Sequence, residues 1–431
     1  SGSGRITQSG NILNITQNTQ KMAIDWQSFS VGKENTVNFI QPSSSSIALN
    51  RVVGNDVSNI QGAINANGQV FLINPNGVLF STTAQVNVGG LVASTRNISN
   101  EQFNAGNFKF EGTNSNAIIN QGNIKTVDGG YVVMIAAKIE NTGNITANAG
   151  TVALGAGNLV TVDIGGPVKL KVEQGAINAL INNGGAIQSE GGYILLTAKS
   201  AGDLAASVIN NSGKIEASSL SNKGGKIILS AEQITNSGKL SADGTIGGGE
   251  VLIGGDWQGS NVDQFPQATK VTLTETSNIS ANATQQGDGG KIVAWSDIHH
   301  DKSVTKVAGK LSATSKGNNA KGGKIETSGK VLVVDEKMQV KAQEWLLDPT
   351  DITIESTGST SDLTGSSIKA SFIESTLNGG TDVTLSATNN ININEALAWS
   401  QNKLTLTATN YIYINDVESV SGTGALTMSA S

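Results

Sequence analysis

The sequence predicts an all-β fold built as a stack of short parallel coils, a parallel β-helix. Three observations lead there. A pair of glycines followed by a β-run recurs six times, at Gly129-Gly130, Gly191-Gly192, Gly224-Gly225, Gly248-Gly249, Gly289-Gly290 and Gly322-Gly323. Between these pairs lie Asn-x-Gly turns, such as Asn120-Gln121-Gly122, Asn141-Thr142-Gly143, Asn211-Ser212-Gly213 and Asn236-Ser237-Gly238. The closest spacings are 21 residues (120 to 141) and 24 residues (224 to 248), too short for a unit that buries a face alone but right for stacked coils. Composition agrees: with 52 Gly, 5 Pro, 4% aromatics and 37% hydrophobic residues, the core must be thin layers of Val, Ile, Leu and Ala. Gly and Asn are expected where the chain turns a corner with positive φ. A propeller or sandwich would carry period-regular aromatics and hairpin dipeptides, which are missing.

Residues 1–115 are the less regular part, with short alternating runs at Ile12 to Ile15 and Thr36 to Ile40. They are expected to cap the open end of the stack, because an uncapped coil exposes unpaired edges. Ser43 to Ser46 reads as an exposed loop. Residues 67 to 81 hold the sharpest local signal. Asn67-Gly68 opens a turn, Val70 to Ile73 form a β-run, and Asn74-Pro75-Asn76-Gly77 closes it. Asn suits the first position of a type I turn, Pro the second and Gly the fourth, so the strand is expected to stop, reverse and restart at Val78. Arg51, inside an apolar run with Asn50, reads as a partly buried arginine held by carbonyls or a carboxylate.

Residues 116–350 read as regular coils, with irregular insertions near 161–180 (Pro167) and 255–270 (Trp257, Phe265, Pro266). Beyond 350 the style changes. Ser371 and Glu374 form a capping-box pattern ahead of Gly379-Gly380, predicting a short helix over 371–378. Alternating strands resume at 382–415, and the pattern runs on to Ser431 as though the repeats continue.

Four stretches, in order and widely spaced, carry a family resemblance: Ala48-Leu49-Asn50-Arg51-Val52, Gln69 to Gly77, Val86 to Thr95 with Gly89-Gly90, and Glu344-Trp345-Leu346-Leu347-Asp348-Pro349. Over residues 4 to 354 the chain resembles the secretion domain of two-partner secretion exoproteins, the filamentous haemagglutinin and high-molecular-weight adhesin family. The Asn-Pro-Asn-Leu motif of the haemagglutinin branch is absent, so the chain looks closer to the adhesin branch. The resemblance implies a right-handed parallel β-helix with extra-helical β insertions. It also implies recognition by the periplasmic POTRA domains of an outer-membrane transporter, through Asn50, Arg51, Asn74, Pro75, Asn76 and Gly77 or the fold they shape. Export through the periplasm to the surface of a Gram-negative bacterium follows, with residues 351–431 beginning a passenger that meets a host receptor or glycan. The alternative cargoes are a contact-dependent toxin, a haemolysin or a haem-acquisition protein.

Other chemistry finds little support in these residues. A net charge of −6 without basic clusters gives no footing for nucleic acid. The absence of Cys means that an exported fold cannot depend on disulfides and cannot be trapped by oxidation in the periplasm. No apolar run approaches a membrane span and no signal peptide is read, so an exported chain is expected to have lost its signal. His299 and His300, flanked by Asp297 and Asp301, would point to opposite faces of a strand, a poor metal site. No catalytic triad can be assembled, and the clustered carboxylates and bases of β-helix polysaccharide lyases are missing. The expectation is a monomer with neither cofactor nor enzymatic activity. Asn-x-Ser/Thr sequons stand at Asn14, Asn97, Asn144, Asn210, Asn278 and Asn282. In a chain this rich in Asn, Ser and Thr they arise by composition, while the adhesin branch makes them candidate glycosylation sites.

Overall fold

The computed structural model describes residues 1–202, 206–261, 266–357, 366–416 and 418–430, and the chain forms two compact units, Ser1–Glu216 and Ala217–Ser431. In the first unit three sets of parallel strands stack coil on coil. One set runs through Thr36–Ile40, Ala63–Ala66, residues 85–88, residues 123–126, Asn144–Thr146, Ala186–Gln188 and Lys214–Glu216. The second set includes Lys21–Trp26, Ile47–Val52, Gln69–Ile73, Thr151–Ala156 and Tyr193–Ala198. The third joins Ser58–Ile60, Val78–Phe80, Ala117–Asn120, Lys138–Asn141, Leu180–Asn183 and Val208–Asn211.

Register makes the core. Ile64, Val86, Ile124, Ile145, Ile187 and Ile215 lie directly above one another, all essentially without solvent contact. Each such side chain removed from water contributes about 1.5–3 kcal/mol. At the N-terminal end Gly4–Ser9 pairs antiparallel with Ile12–Gln17, whose other edge meets Thr36–Ile40 in parallel. The first coil therefore has its outer edge covered. Of the serine run, Ser44 and Ser45 are exposed, but Ser46 is buried and accepts from the Ser43 amide at 3.0 Å.

The glycine pairs have a different cause from the one expected. Only Gly129 and Gly191 among them adopt positive φ. The second glycine of the pair is needed because coils approach backbone to backbone. A Cβ on Gly130 or Gly192 would lie far inside contact with the carbonyl oxygen of Gly89 or Gly150. The asparagines of the Asn-x-Gly turns are likewise not left-handed. They are buried and linked side chain to side chain, from Asn120 to Asn141 at 2.8 Å and on to Asn183 and Asn211 at 2.7 Å each.

The irregular stretch around 161–180 lies outside the coils. Leu159–Asp163 and Lys169–Gln174 form a hairpin whose first strand also pairs antiparallel with Phe108–Glu111. This small sheet lies on the second set of strands, its Leu170 and Val172 filling the space above Gly155 and Gly157.

In the second unit Lys226–Ser230, Glu250–Ile253, Lys291–Trp295, Lys324–Ser328, Glu344–Asp348, Asp382–Ala387, Lys403–Ala408 and Ala425–Ala430 stack in parallel register. Gln233–Asn236, Lys270–Leu273, Val304–Val307 and Val331–Val334 form a second face. Trp257–Gly259, in the 255–270 insertion, is a single 3-10 turn packed on Trp295; Phe265 lies outside the described residues. The predicted helix is present as Ala370–Asn378, but Lys369 is its N-cap and makes no side-chain cap bond. Ser371 is already inside the first turn, so the capping box does not form. The helix is held instead by its apolar face, with Phe372 edge-on to the buried Trp345 at 5.7 Å.

Candidate functional site

The Asn74–Gly77 corner is wired by its own amides. The Asn74 carbonyl accepts from the Gly77 amide at 3.0 Å and the Asn74 side-chain oxygen from the Asn76 amide at 2.9 Å, which closes the turn. Asn74, fully buried, donates its Nδ2 to the Asp56 carbonyl and the Ser58 hydroxyl, both at 2.9 Å. Asn76 Nδ2 reaches the Gly54 carbonyl at 2.8 Å, and the Pro75 carbonyl accepts from Asn116 Nδ2 at 2.8 Å. Gly77 needs its φ of 120° and has the Ala117 carbonyl close by. The chain does not fold back at this point. Gln69–Ile73 pairs with Ile47–Val52, whereas Val78–Phe80 pairs with Ser58–Ile60 and Ala117–Asn120. The turn is a corner between two faces, not a hairpin.

Asn50 and Arg51 sit one coil earlier on Ile47–Val52 and do separate jobs. Asn50 is buried, accepts from the Trp26 indole at 3.0 Å and donates to the Ala48 carbonyl at 3.2 Å. Arg51 points the other way. Its guanidinium pairs with Asp25 at 3.1 Å and donates to the Ile98 carbonyl at 2.7 Å and to the Asn97 and Asn100 side-chain oxygens. It thus fastens the entry to the helix Asn100–Ala105. That helix has Ser99 as its N-cap and Gly106, in the left-handed region, at its end. Lys21 donates to the last carbonyls, Phe103 and Asn104, at 2.9 Å, and lies over the Phe103 and Phe108 rings; partial burial lowers its ammonium below the usual lysine range. Under this cover Phe71 meets Phe103, Phe108 and Phe110 at 5.3–6.4 Å.

Arg96 escaped the sequence reading. It has no solvent contact, and its guanidinium donates to the Gly157 and Asn114 carbonyls at 2.8 and 2.9 Å and to the Asn158 side chain at 3.2 Å. Burial pulls it down to about 10, still cationic at neutral pH. A signal existed: the chain has three arginines among 28 basic residues, and of these Arg51 lies within a motif stretch and Arg96 directly follows one. A rigid five-donor fork suits a site lined by carbonyls far better than an ammonium.

The remaining residues scatter. Asn14 accepts from Asn38, Asn97 from Arg51 and Asn282 from Ser312 and Thr314. Asn144 and Asn210 are exposed but donate to Asn123 and Asn182 on neighbouring strands, and Asn278 is exposed at the start of a strand. His299 and His300 occupy an exposed turn after Lys291–Trp295 rather than a strand. Among the described residues no three His, Asp or Glu side chains gather to hold a metal, and no helix is long and apolar enough to cross a membrane.

A stack of parallel coils, an N-terminal edge cover and an extra-helical sheet pinned by the buried Arg96 define a β-helical secretion domain. The TPS secretion domain model matches residues 1–242, more than half of the chain, and the chain belongs to that family. Two curated relatives, both heme/hemopexin-binding proteins of Haemophilus influenzae, are 32% and 30% identical over 67% and 57% of this chain. The matches span 32% and 28% of those proteins, so the chain corresponds to about a third of their length. The crystal structure of the HMW1 secretion domain from Haemophilus influenzae is similar with a TM-score of 0.61 and 31% identity, covering 80% of this chain and 98% of that one. A secretion domain of this family implies a partner outer-membrane transporter, and exoproteins that carry it are secreted through the periplasm to the surface or surroundings of a Gram-negative cell.

Proposed function

We propose that this chain is the secretion domain and first passenger coils of a haem- or haemopexin-acquiring exoprotein, engaged by the POTRA domains of its transporter and nucleating β-helix folding outside the cell. The relatives' names support this cargo ahead of the adhesin that the sequence motifs favour. In this reading residues 1–115 supply the cap and first coils, 116–350 the regular coils with their insertions, and 351–431 begin the passenger. The domain works by folding rather than by catalysis.

The observation that carries the folding role is the inward commitment of the Asn74–Gly77 corner. Asn74 is fully buried and both corner amides are bonded within the domain, which favours a register clamp over a surface held out to the transporter. Each new coil lays apolar side chains on the last one, and that burial opposes back-sliding through the transporter. The test is export of the chain, with a signal sequence, in cells with and without the partner transporter. Partner-dependent release is expected, and Asn74→Ala should lower it only in step with its loss of stability. Release lost in a variant that folds normally would give the corner a direct recognition role instead, and release without any partner would overturn the secretion reading. Haem and haemopexin binding by the full-length exoprotein decides the cargo.

A further inference from the structure

We propose that a groove on the Ala217–Ser431 unit binds an extended acidic glycan. The groove, about 670 Å³, runs along the stack across strands from Glu250–Ile253 to Lys403–Ala408. Its floor is bare backbone. Gly249, Gly290 and Gly323 lie one above another, and a Cβ on any of them would collide with the carbonyl oxygen of the glycine one coil below. One wall is made by the loops 242–249, 281–290 and 313–323. They are tied together by the Gly248 amide on the Asp288 carbonyl, the Gly289 amide on the Lys321 carbonyl and the Lys321 amide on the Asp288 carboxylate, at 2.8–2.9 Å. In the next coil only Ala342 and Gln343 separate Gln339–Lys341 from Glu344–Asp348, so the wall ends abruptly and the trough stays open.

The charges in the groove are unequally committed. Glu250 is paired with Lys226 at 2.9 Å and Lys291 at 3.6 Å, Asp382 accepts from the Lys403 amide and the Asn402 side chain, Asp288 from the Lys321 amide and, among the described residues, Glu344 only from the Thr384 hydroxyl at 3.3 Å. The ammonium groups of Lys223, Lys321 and Lys403 are exposed and have no carboxylate partner among the described residues. The lining carries five lysines against four carboxylates, and three of those lysines are unpaired, an excess of free cationic donors that favours an anionic ligand. Thr384, Thr405 and Gln343 add the mixed donors and acceptors that sugar hydroxyls need. Successive coils rise by about 4.8 Å, close to the length of one pyranose residue, so a glycan along the axis meets an equivalent position at each sugar. This polar trough gives the apolar side chains of a peptide little to bury.

The test is calorimetric titration of the full chain with a hyaluronan oligosaccharide, which carries carboxylates, and a heparin oligosaccharide, which carries sulfates. A neutral dextran fragment and polyglutamate serve as comparisons. Saturable binding of at least one acidic glycan and not of dextran is expected, weakened at least about tenfold by Lys321→Glu with Lys403→Glu. Lys125→Glu, an exposed lysine on the other unit, should leave affinity within about twofold. Unchanged circular dichroism excludes misfolding of the variants. Binding of polyglutamate as tight as the glycans, an equal loss in the Lys125 variant, or no saturable binding of either glycan would overturn the proposal. None of these outcomes touches the secretion reading, which is scored on partner-dependent export.

Discussion

The Ser1–Glu216 unit turns its corners in two ways. At Asn74–Gly77 the corner is built once, and each side-chain bond goes to a different place: Asp56, Ser58 and Gly54. At Asn120–Gly122, Asn141–Gly143, Asn183–Gly185 and Asn211–Gly213 the corner is repeated, and Asn120, Asn141 and Asn183 each donate to the equivalent asparagine on the next coil. The glycines of these corners also stack, with no room for a Cβ between Gly122, Gly143, Gly185 and Gly213. The single corner carries its specificity in side chains and is legible as a motif. The repeated corner carries it in close approach, so damage there reaches the coils on both sides.

The largest effect should come from breaking that close approach. A Cβ at Gly150 would stand deep inside the Gly130 carbonyl oxygen, so Gly150→Val must push two coils apart. A loss of at least about 3 kcal/mol is expected in urea unfolding followed by circular dichroism. An unchanged midpoint would break the account of the glycine columns. Asn141→Leu should come next, at about 2–3 kcal/mol, because it strands the Asn120 donor and the Asn183 acceptor, both buried. Combining it with Asn183→Leu sharpens the comparison: neighbours in one ladder should cost less together than the sum of the two.

At the single corner the costs should be smaller and local. Asn74→Ala removes bonds to Asp56, Ser58 and the Asn76 amide and should cost about 2 kcal/mol; the half-buried Asn76, bonded to Gly54, should cost about 1. Amide exchange should rise over residues 54–58 and 74–77 while strands farther along the stack stay protected. Protection lost throughout the unit would erase the distinction between the two kinds of corner.

What was legible follows the same division. Repetition displayed the coils, and a dense local motif displayed the Asn74–Gly77 turn. The reason for the glycine pairs was not visible, since a sequence shows a missing side chain but not whether φ or a neighbouring carbonyl demands it. The extra-helical sheet joins Phe108–Glu111 to Leu159–Asp163 across two intervening coils, and nothing local announces that pairing. Arg96 was missed because its partners are mostly carbonyls, which every residue carries. The Ser371/Glu374 pattern misled for the opposite reason: the local signal was present, but packing of Phe372 on Trp345 starts the helix at Ala370.

The last expected effect is one of pH and belongs to a single residue at a repeated position. Glu326 lies between Val293 and Leu346 in register and is fully buried where both neighbours are apolar. One carboxyl oxygen accepts from the Gln258 amide at 2.8 Å and the other from the Ser328 hydroxyl at 2.9 Å. Burial pushes Glu326 from 4.5 up to about 8, with the Asp348 carboxyl adding to the rise and the two hydrogen bonds and Lys324 opposing it. Burial raises Asp348 as well. The folded protein thus holds a proton that the unfolded chain releases between 4.5 and about 8, so stability must fall as pH rises through that window and level off above it. One proton sets a ceiling of about 1.4 kcal/mol per pH unit. Glu326→Gln keeps an acceptor for the Gln258 amide, turns the Ser328 contact round so that the hydroxyl accepts from the new NH2, and should flatten the fall in Tm between about pH 5 and about pH 8.5, leaving only the part that Asp348 contributes. Parallel curves for the two proteins would mean that Glu326 is ionised when folded, and that the stack tolerates a charge at a position its repeats reserve for apolar side chains.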